Sequence, residues 1–204
     1  GAMLSDILPT GYEIGVLSGA VKEGDTVAIV GVGPVGLAAV MTAKAVGASK
    51  VIAVDGNKFR LEQAREFGAT DTIDVGAGGD VVEQLKGLSR DGLGVDVAIE
   101  AVGLPGTFLT ALGSVRPGGH VANVGVHGEG VEFPIERDWI NNLTITTGLV
   151  NATTAPELLD QTRDGTIAPE RFVTHRFGFD QFDEAYDTFA NAADEHALKV
   201  IISA

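Results

Sequence analysis

Short apolar runs alternate with segments of helical spacing along most of the chain. Thr26-Val-Ala-Ile-Val30 is apolar on both faces and ends at Gly31. The Ala-rich stretch from Leu37 to Val46 follows as a helix, with Gly47 placed to cap it. Val51 to Val54 reads as a second strand with Asp55 at its end, and Lys58 to Phe67 as a helix capped by Asn57 and stopped by Gly68. A third strand is expected over Thr72 to Val75, a helix over Asp80 to Leu88, and a fourth strand over Val95 to Ile99. Phe108 to Val115 reads as a helix, His120 to Val124 as a fifth strand, and Leu143 to Val150 as a sixth. Strands apolar on both faces, separated by helix-length crossovers, predict a parallel sheet covered by helices.

The α/β class follows: a doubly wound parallel sheet of about six strands over residues 17–164. Residues 4–16 are broken by Asp6, Pro9, Gly11, Glu13 and Gly15 and do not resemble a signal peptide. Residues 1–3, Gly-Ala-Met, read as an expression scar outside the fold. The tail, 165–204, predicts strand, helix and strand. Phe172 to Phe179 alternates in bulk, and Asp180 is expected to cap a helix over Gln181 to Ala190. That helix would place Phe182, Ala185, Tyr186 and Phe189 on one side, before a strand-like run from Leu198 to Ile202. A seventh element of the main sheet and part of a neighbouring domain both fit this tail.

Composition narrows the function classes. With 14 Lys and Arg against 28 Asp and Glu in 204 residues, the formal charge is −14. Nucleic-acid binding needs a concentrated positive face, so no nucleic-acid partner is expected. No stretch reaches the ~20 continuous apolar residues of a membrane span. No membrane partner is therefore expected, and the cytoplasm is the expected location. The absence of cysteine excludes disulfides, thiolate nucleophiles and cysteine-ligated metals from this chain.

Gly31-Val-Gly-Pro-Val-Gly36 is a GxGxxG string that directly follows a predicted strand and opens a predicted helix. An acid, Asp55, closes the next strand 24 positions on, which is the context of a dinucleotide-binding, or Rossmann, unit. Gly31 permits the tight turn, Gly33 lets the backbone approach a pyrophosphate, and Gly36 lets the helix pack close to the sheet. Pro34 suits a first-turn position, where a missing N–H costs nothing, and the helix start presents free N–H groups to phosphate. A carboxylate at position 55 can accept hydrogen bonds from both ribose hydroxyls of NAD and repels the 2′-phosphate of NADP. NAD(H) is thus preferred over NADP(H), with Lys58 and Arg60 close enough to soften the discrimination. The loop alone reads a phosphate, so other nucleotide ligands such as FAD fit it too.

No catalytic constellation stands out, and no catalytic or metal-ligating residue is assigned. His120, His127, His175 and His196 form no ligand pattern. His120 is expected to be structural and His196 exposed, while His127 follows a strand end where a cofactor mouth would lie. Asp96 and Glu100 carry charge in or at the end of a strand otherwise buried, so both are expected at strand ends or hydrogen-bonded.

Several stretches together resemble the zinc-type, medium-chain alcohol dehydrogenases. They are Asp6-Ile-Leu-Pro-Thr-Gly-Tyr12, Gly24 to Leu37, Asp55 with Arg60-Leu61, and Ala64-Arg-Glu-Phe-Gly-Ala-Thr70. Gly118-Gly119, Thr174-His-Arg-Phe177, Ala185 to Phe189 and Ala197-Leu-Lys-Val200 extend the match. The resemblance implies hydride transfer between NAD(P) and alcohols, aldehydes or ketones, with a zinc ion held by a preceding GroES-like domain. This chain carries none of that domain's cysteine ligands, so zinc is expected only in a full-length relative. An excised piece of a longer enzyme and a naturally reduced protein are both consistent with this. Residues 4–16 would then be the junction from the catalytic domain, and the tail would return to it.

By the same resemblance, Thr10 would border the nicotinamide, and Gly31, Gly33, Pro34, Val35 and Gly36 would hold the pyrophosphate. Asp55 and Arg60 would hold the adenosine ribose region, with Ala101 and Val102 flanking the adenine side. Gly125, Val126, Thr147, Gly148 and Leu149 would line the nicotinamide. The family pairs cofactor domains through the last strand, so a homo-oligomer, a dimer through residues 143–150, is expected. The expected function is the NAD(H)-binding portion of an alcohol dehydrogenase with little activity alone. A self-contained reductase working without zinc, with His127 or His175 as proton donor, and a nonenzymatic dinucleotide-binding module are the alternatives.

Overall fold

The computed structural model describes residues 2–203; Gly1 of the expected scar and Ala204 of the tail lie outside the described residues. The six-stranded parallel sheet is built from β1 (Thr26–Val30), β2 (Lys50–Asp55), β3 (Asp71–Asp74), β4 (Val95–Glu100), β5 (Val115–Asn123) and β6 (Thr144–Thr147), in the order β3-β2-β1-β4-β5-β6. The chain thus runs outward from the centre to one edge, returns, and runs outward to the other, the doubly wound arrangement. Its crossover helices include α2 (Pro34–Ala45), α3 (Lys58–Glu66), α4 (Val81–Leu88) and α5 (Pro105–Ser114).

Period-two alternation within buried strands sends side chains to two separate cores. Val27, Ile29, Val51, Ala53, Val97 and Ile99 join α2 on one face. Ala28, Val30, Ile52, Val54, Ala98 and Val121 join Leu85 of α4 and Ala111 and Leu112 of α5 on the other. Local signals set the helix starts as expected: the Asn57 side chain accepts the Arg60 N–H, and that of Asp80 accepts those of Val82 and Glu83.

Over residues 2–164, four features go beyond or against the expectations. First, a segment to which no element was assigned is helical: α1 (Ile7–Pro9) runs into a wide-turned π-helix over Thr10–Leu17, and its inner face is buried. Gly11 and Gly15 lie on that face. A Cβ on Gly11 would stand 2.7 Å from Ala38 Cβ, and one on Gly15 3.2 Å from Ile99. The residues that seemed to break the segment are what let it press against α2 and β4. Second, Met3, set aside with the scar, is buried in the first core. Third, the sixth strand is only Thr144–Thr147 rather than 143–150, and its residues are polar apart from Ile145. Fourth, α6 (Ile135–Asp138) and α7 (Ala155–Arg163) interrupt a stretch in which no helix was expected.

The tail forms its own two-stranded parallel sheet, β7 (Val173–Gly178) with β8 (Lys199–Ser203), crossed over by α8 (Phe182–Ala190). It is a strand-helix-strand unit and adds nothing to the main sheet. Asp180 is not the cap of α8; it lies inside a tight turn, Phe179–Gln181, that precedes the helix. Of the expected apolar face, Ala185 alone is buried, and Phe182, Tyr186 and Phe189 are exposed.

Candidate dinucleotide site

In an open parallel sheet, ligands lie across the carboxyl ends of the strands where the strand order reverses. That point is between β1 and β4. The strand registers line up Val54, Val30, Glu100, Asn123 and Thr147 in one row across the sheet's carboxyl edge, with Asp55 one residue beyond Val54. Every residue expected to touch the cofactor, other than Thr10, lies on this row, in the turn just beyond it, or in the first turn of the helix that follows, as Pro34, Val35 and Gly36 of α2 and Arg60 of α3 do. Thr10 instead begins the π-helix, its hydroxyl bonded to Asp6 Oδ1 at 3.0 Å.

The three loop glycines answer to three different demands. Gly31 has φ +89°, and a Cβ there would overlap the Val102 side chain. A Cβ on Gly36 would overlap the Gly31 carbonyl oxygen, so this glycine lets the first turn of α2 sit on the loop. Gly33 is different: its φ is −64°, and the nearest heavy atom to an added Cβ is Arg60 Nη1 at 4.0 Å. Nothing in the fold needs Gly33 to be bare, so the space beside it is room for a ligand. Gly33 is the N-cap of α2, Pro34 is its first residue, and the first helical hydrogen bond is Leu37 N–H to the Gly33 carbonyl. The Val35 and Gly36 N–H groups therefore have no partner within the helix, and an anion suits them.

Asp55 organises the same corner. Its Oδ2 accepts the Val32 N–H at 2.9 Å and its Oδ1 accepts the Asn57 N–H at 2.8 Å. One carboxylate thereby ties the glycine loop to the start of α3. Arg60 Nη1 stands 4.0 Å from Oδ2, on the side facing Gly33. Beyond β4, Ala101 N–H bonds the Val30 carbonyl, while Val102 is exposed. Gly125 is half-buried, and Val126, Thr147, Gly148 and Leu149 are exposed along the same edge.

Residues 34–163 match the family described as zinc-binding dehydrogenase. The chain belongs to the zinc-binding dehydrogenase family. It is similar to the apo structure of zinc dependent alcohol dehydrogenase 2 from Streptococcus pneumonia, with 48% identity and a TM-score of 0.91, over 97% of this chain and 56% of that one. It is also similar to an alcohol dehydrogenase of Cupriavidus necator, at 35% identity over 98% of this chain and 55% of the relative. A third relative is the NADP-dependent isopropanol dehydrogenase of Thermoanaerobacter brockii, at 35% identity over 99% of this chain and 58% of its own length. The chain thus spans little more than half the length of the relatives it matches.

Among the described residues, no group of three or more His, Cys, Asp or Glu side chains could hold a metal ion. The histidines are dispersed: His196 is exposed and stacks on Phe59, and His175 is half-buried on β7 beside Thr174. Asp96 is paired as expected, accepting from the Thr26 N–H and from Arg116 Nε.

Glu100 exceeds its expectation. It is fully buried, and its Oε1 accepts from Val102 N–H, Gly103 N–H and Thr107 Oγ1 at 2.9, 2.8 and 2.7 Å. The sequence signal was the charge closing an apolar strand; the turn it holds together was not readable from it.

Proposed function

We propose that the chain is the dinucleotide-binding portion of a zinc-dependent alcohol dehydrogenase, that it prefers NAD(H) to NADP(H), and that it has little or no turnover alone. Asp55 carries the cofactor preference. Its carboxylate is held at the end of β2 by two backbone N–H groups, one per oxygen, and each oxygen keeps a lone pair for a ribose hydroxyl. A 2′-phosphate in that position would meet a fixed negative charge. Arg60 sits beside that charge and is turned toward it, which limits its service to a phosphate. Family membership does not choose between the cofactors, since one relative is described as NADP-dependent.

The cofactor supplies the hydride step when bound. The chain's own part is to bind and orient. The α2 N-terminus and Gly33 receive the pyrophosphate, Asp55 and Arg60 the first ribose, Ala101 and Val102 after β4 flank the adenine side, and the turns after β5 and β6 receive the second nucleotide. Activation of an alcohol oxygen, in this reading, falls to residues outside this chain. We also infer that the chain pairs with a second copy through the exposed edge of β6, as the unpaired backbone of an edge strand allows.

Calorimetric titration with NADH and NADPH tests the reading. NADH is expected to bind at least about tenfold more tightly than NADPH, and Asp55→Ala to narrow that gap. A cooperatively folded chain that bound neither would overturn the proposal. Turnover of alcohols at the rate of a complete enzyme would overturn its second half.

A further inference from the structure

The doubly wound sheet offers two nucleotide halves, one on each side of the point between β1 and β4. The glycine loop and Asp55 occupy the first. In the second, the turns after β4 and β5 press against each other: Gly103 has φ +91°, and a Cβ on it would overlap the Val126 backbone. Glu100 lies beneath this contact. Its Oε1 is saturated by three donors of the β4–α5 turn, whereas its Oε2 is buried and has no partner. A Cβ on Gly125 would overlap that oxygen, so Oε2 points under the β5 turn.

His127 stands beside it, with Nε2 3.6 Å from Oε2. This is beyond hydrogen-bond length but well within electrostatic reach in a buried setting. The ring is itself held. Asn123 Nδ2 donates to the Gly125 carbonyl, which leaves Asn123 Oδ1 to accept from His127 Nε2 at 2.8 Å. Phe108 of α5 meets the ring edge-on, with centroids 6.2 Å apart. The hydrogen on Nε2 therefore faces both Asn123 Oδ1 and the unpartnered carboxylate oxygen.

We propose that Glu100 and His127 act as one positioning unit for the second nucleotide half, fixing the β4 and β5 turns against each other. The inference rests on the dinucleotide reading above. Neither residue has to touch the ligand; they set where Gly125 and Val126 stand.

The test compares NADH, which spans both halves, with ADP, which fills only the first. Glu100→Gln keeps an acceptor for the three turn donors and places an amide opposite the His127 N–H. His127→Ala removes the other side. Each is expected to weaken NADH about five- to tenfold while ADP affinity stays within about twofold, and the double variant to be no worse than the single ones. Thermal melts of all four proteins accompany the titrations. Equal losses for NADH and ADP, strictly additive losses, or no loss would overturn the pairing. A wild-type chain that binds ADP but not NADH would overturn it as well. A wild-type chain that binds neither would instead overturn the dinucleotide reading, and the pairing with it.

Discussion

Gly33 and Gly36 separate two kinds of requirement that a motif runs together. Replacing Gly36 by Ala drives a methyl into the Gly31 carbonyl, which is backbone and cannot rotate away. The expected cost is about 1–3 kcal/mol of stability, with dinucleotide binding lost as the loop shifts. Replacing Gly33 by Ala meets no atom nearer than 4.0 Å and asks for no unusual φ. The melting midpoint should stay put while NADH affinity falls by about tenfold or more, because the methyl sits where a phosphate would. A melt and a titration on each variant decide it; equal destabilisation of both would refute the distinction. At this scale much of the corner was legible, since a phosphate loop has to carry glycine at fixed places and an acid at the next strand end. The Val32 N–H to Asp55 bond was not, because it joins residues through a backbone group that every sequence possesses.

Regular elements were legible where burial is two-sided or where a cap has a side-chain signature, as in β1 to β5 and at Asn57 and Asp80. They were hidden where one contact anchors a polar helix. In α7 only Leu158 is fully buried, too little for a helical period to register. That helix depends on Glu13, 141 residues from Thr154 in sequence, whose carboxylate accepts the Asn151, Ala152 and Thr154 N–H groups and the hydroxyls of Thr153 and Thr154. Burial alone would raise the Glu13 pKa, but these donors outweigh it and hold the group below its ordinary 4.5. A folded pKa below the unfolded one means the stabilisation is complete above the unfolded value and fades as pH falls through the folded one. Glu13→Gln should therefore cost about 1 kcal/mol near neutrality, modest because solvent reaches the group. The difference from wild type should shrink below about pH 4, as the native carboxyl takes up its proton. Denaturation midpoints of both proteins across that range check the sign; a gap that widened in acid would contradict it.

At the scale of the whole molecule, two regions of the described residues gather several exposed large apolar side chains. One lies along α8, where Phe182, Tyr186 and Phe189 are 49%, 59% and 58% exposed. The other flanks β6, where Trp139, Ile140 and Leu149 are 68%, 64% and 86% exposed. Sequence periodicity marks such residues as core candidates, because it records hydrophobicity and not whether the surface it faces belongs to the same chain. Of the two regions, the β6 side alone also presents the unpaired backbone of the main sheet's edge, so a second copy can continue the sheet and cover the aromatic and aliphatic side chains together. The proposed self-association should then be lost when Ile145, half-way along the edge strand, is replaced by Lys, since inward charge is what blunts natural edges. Trp139→Asp should act in the same direction. Tyr186→Asp on α8 should leave the assembly unchanged. Sedimentation velocity on the three variants and the wild type reads this directly, with the NADH titration as the check that the cleft survives. Dissociation by the α8 substitution, with the β6 variants still paired, would move the interface to the second sheet and leave the edge of the main sheet with no partner of its own kind.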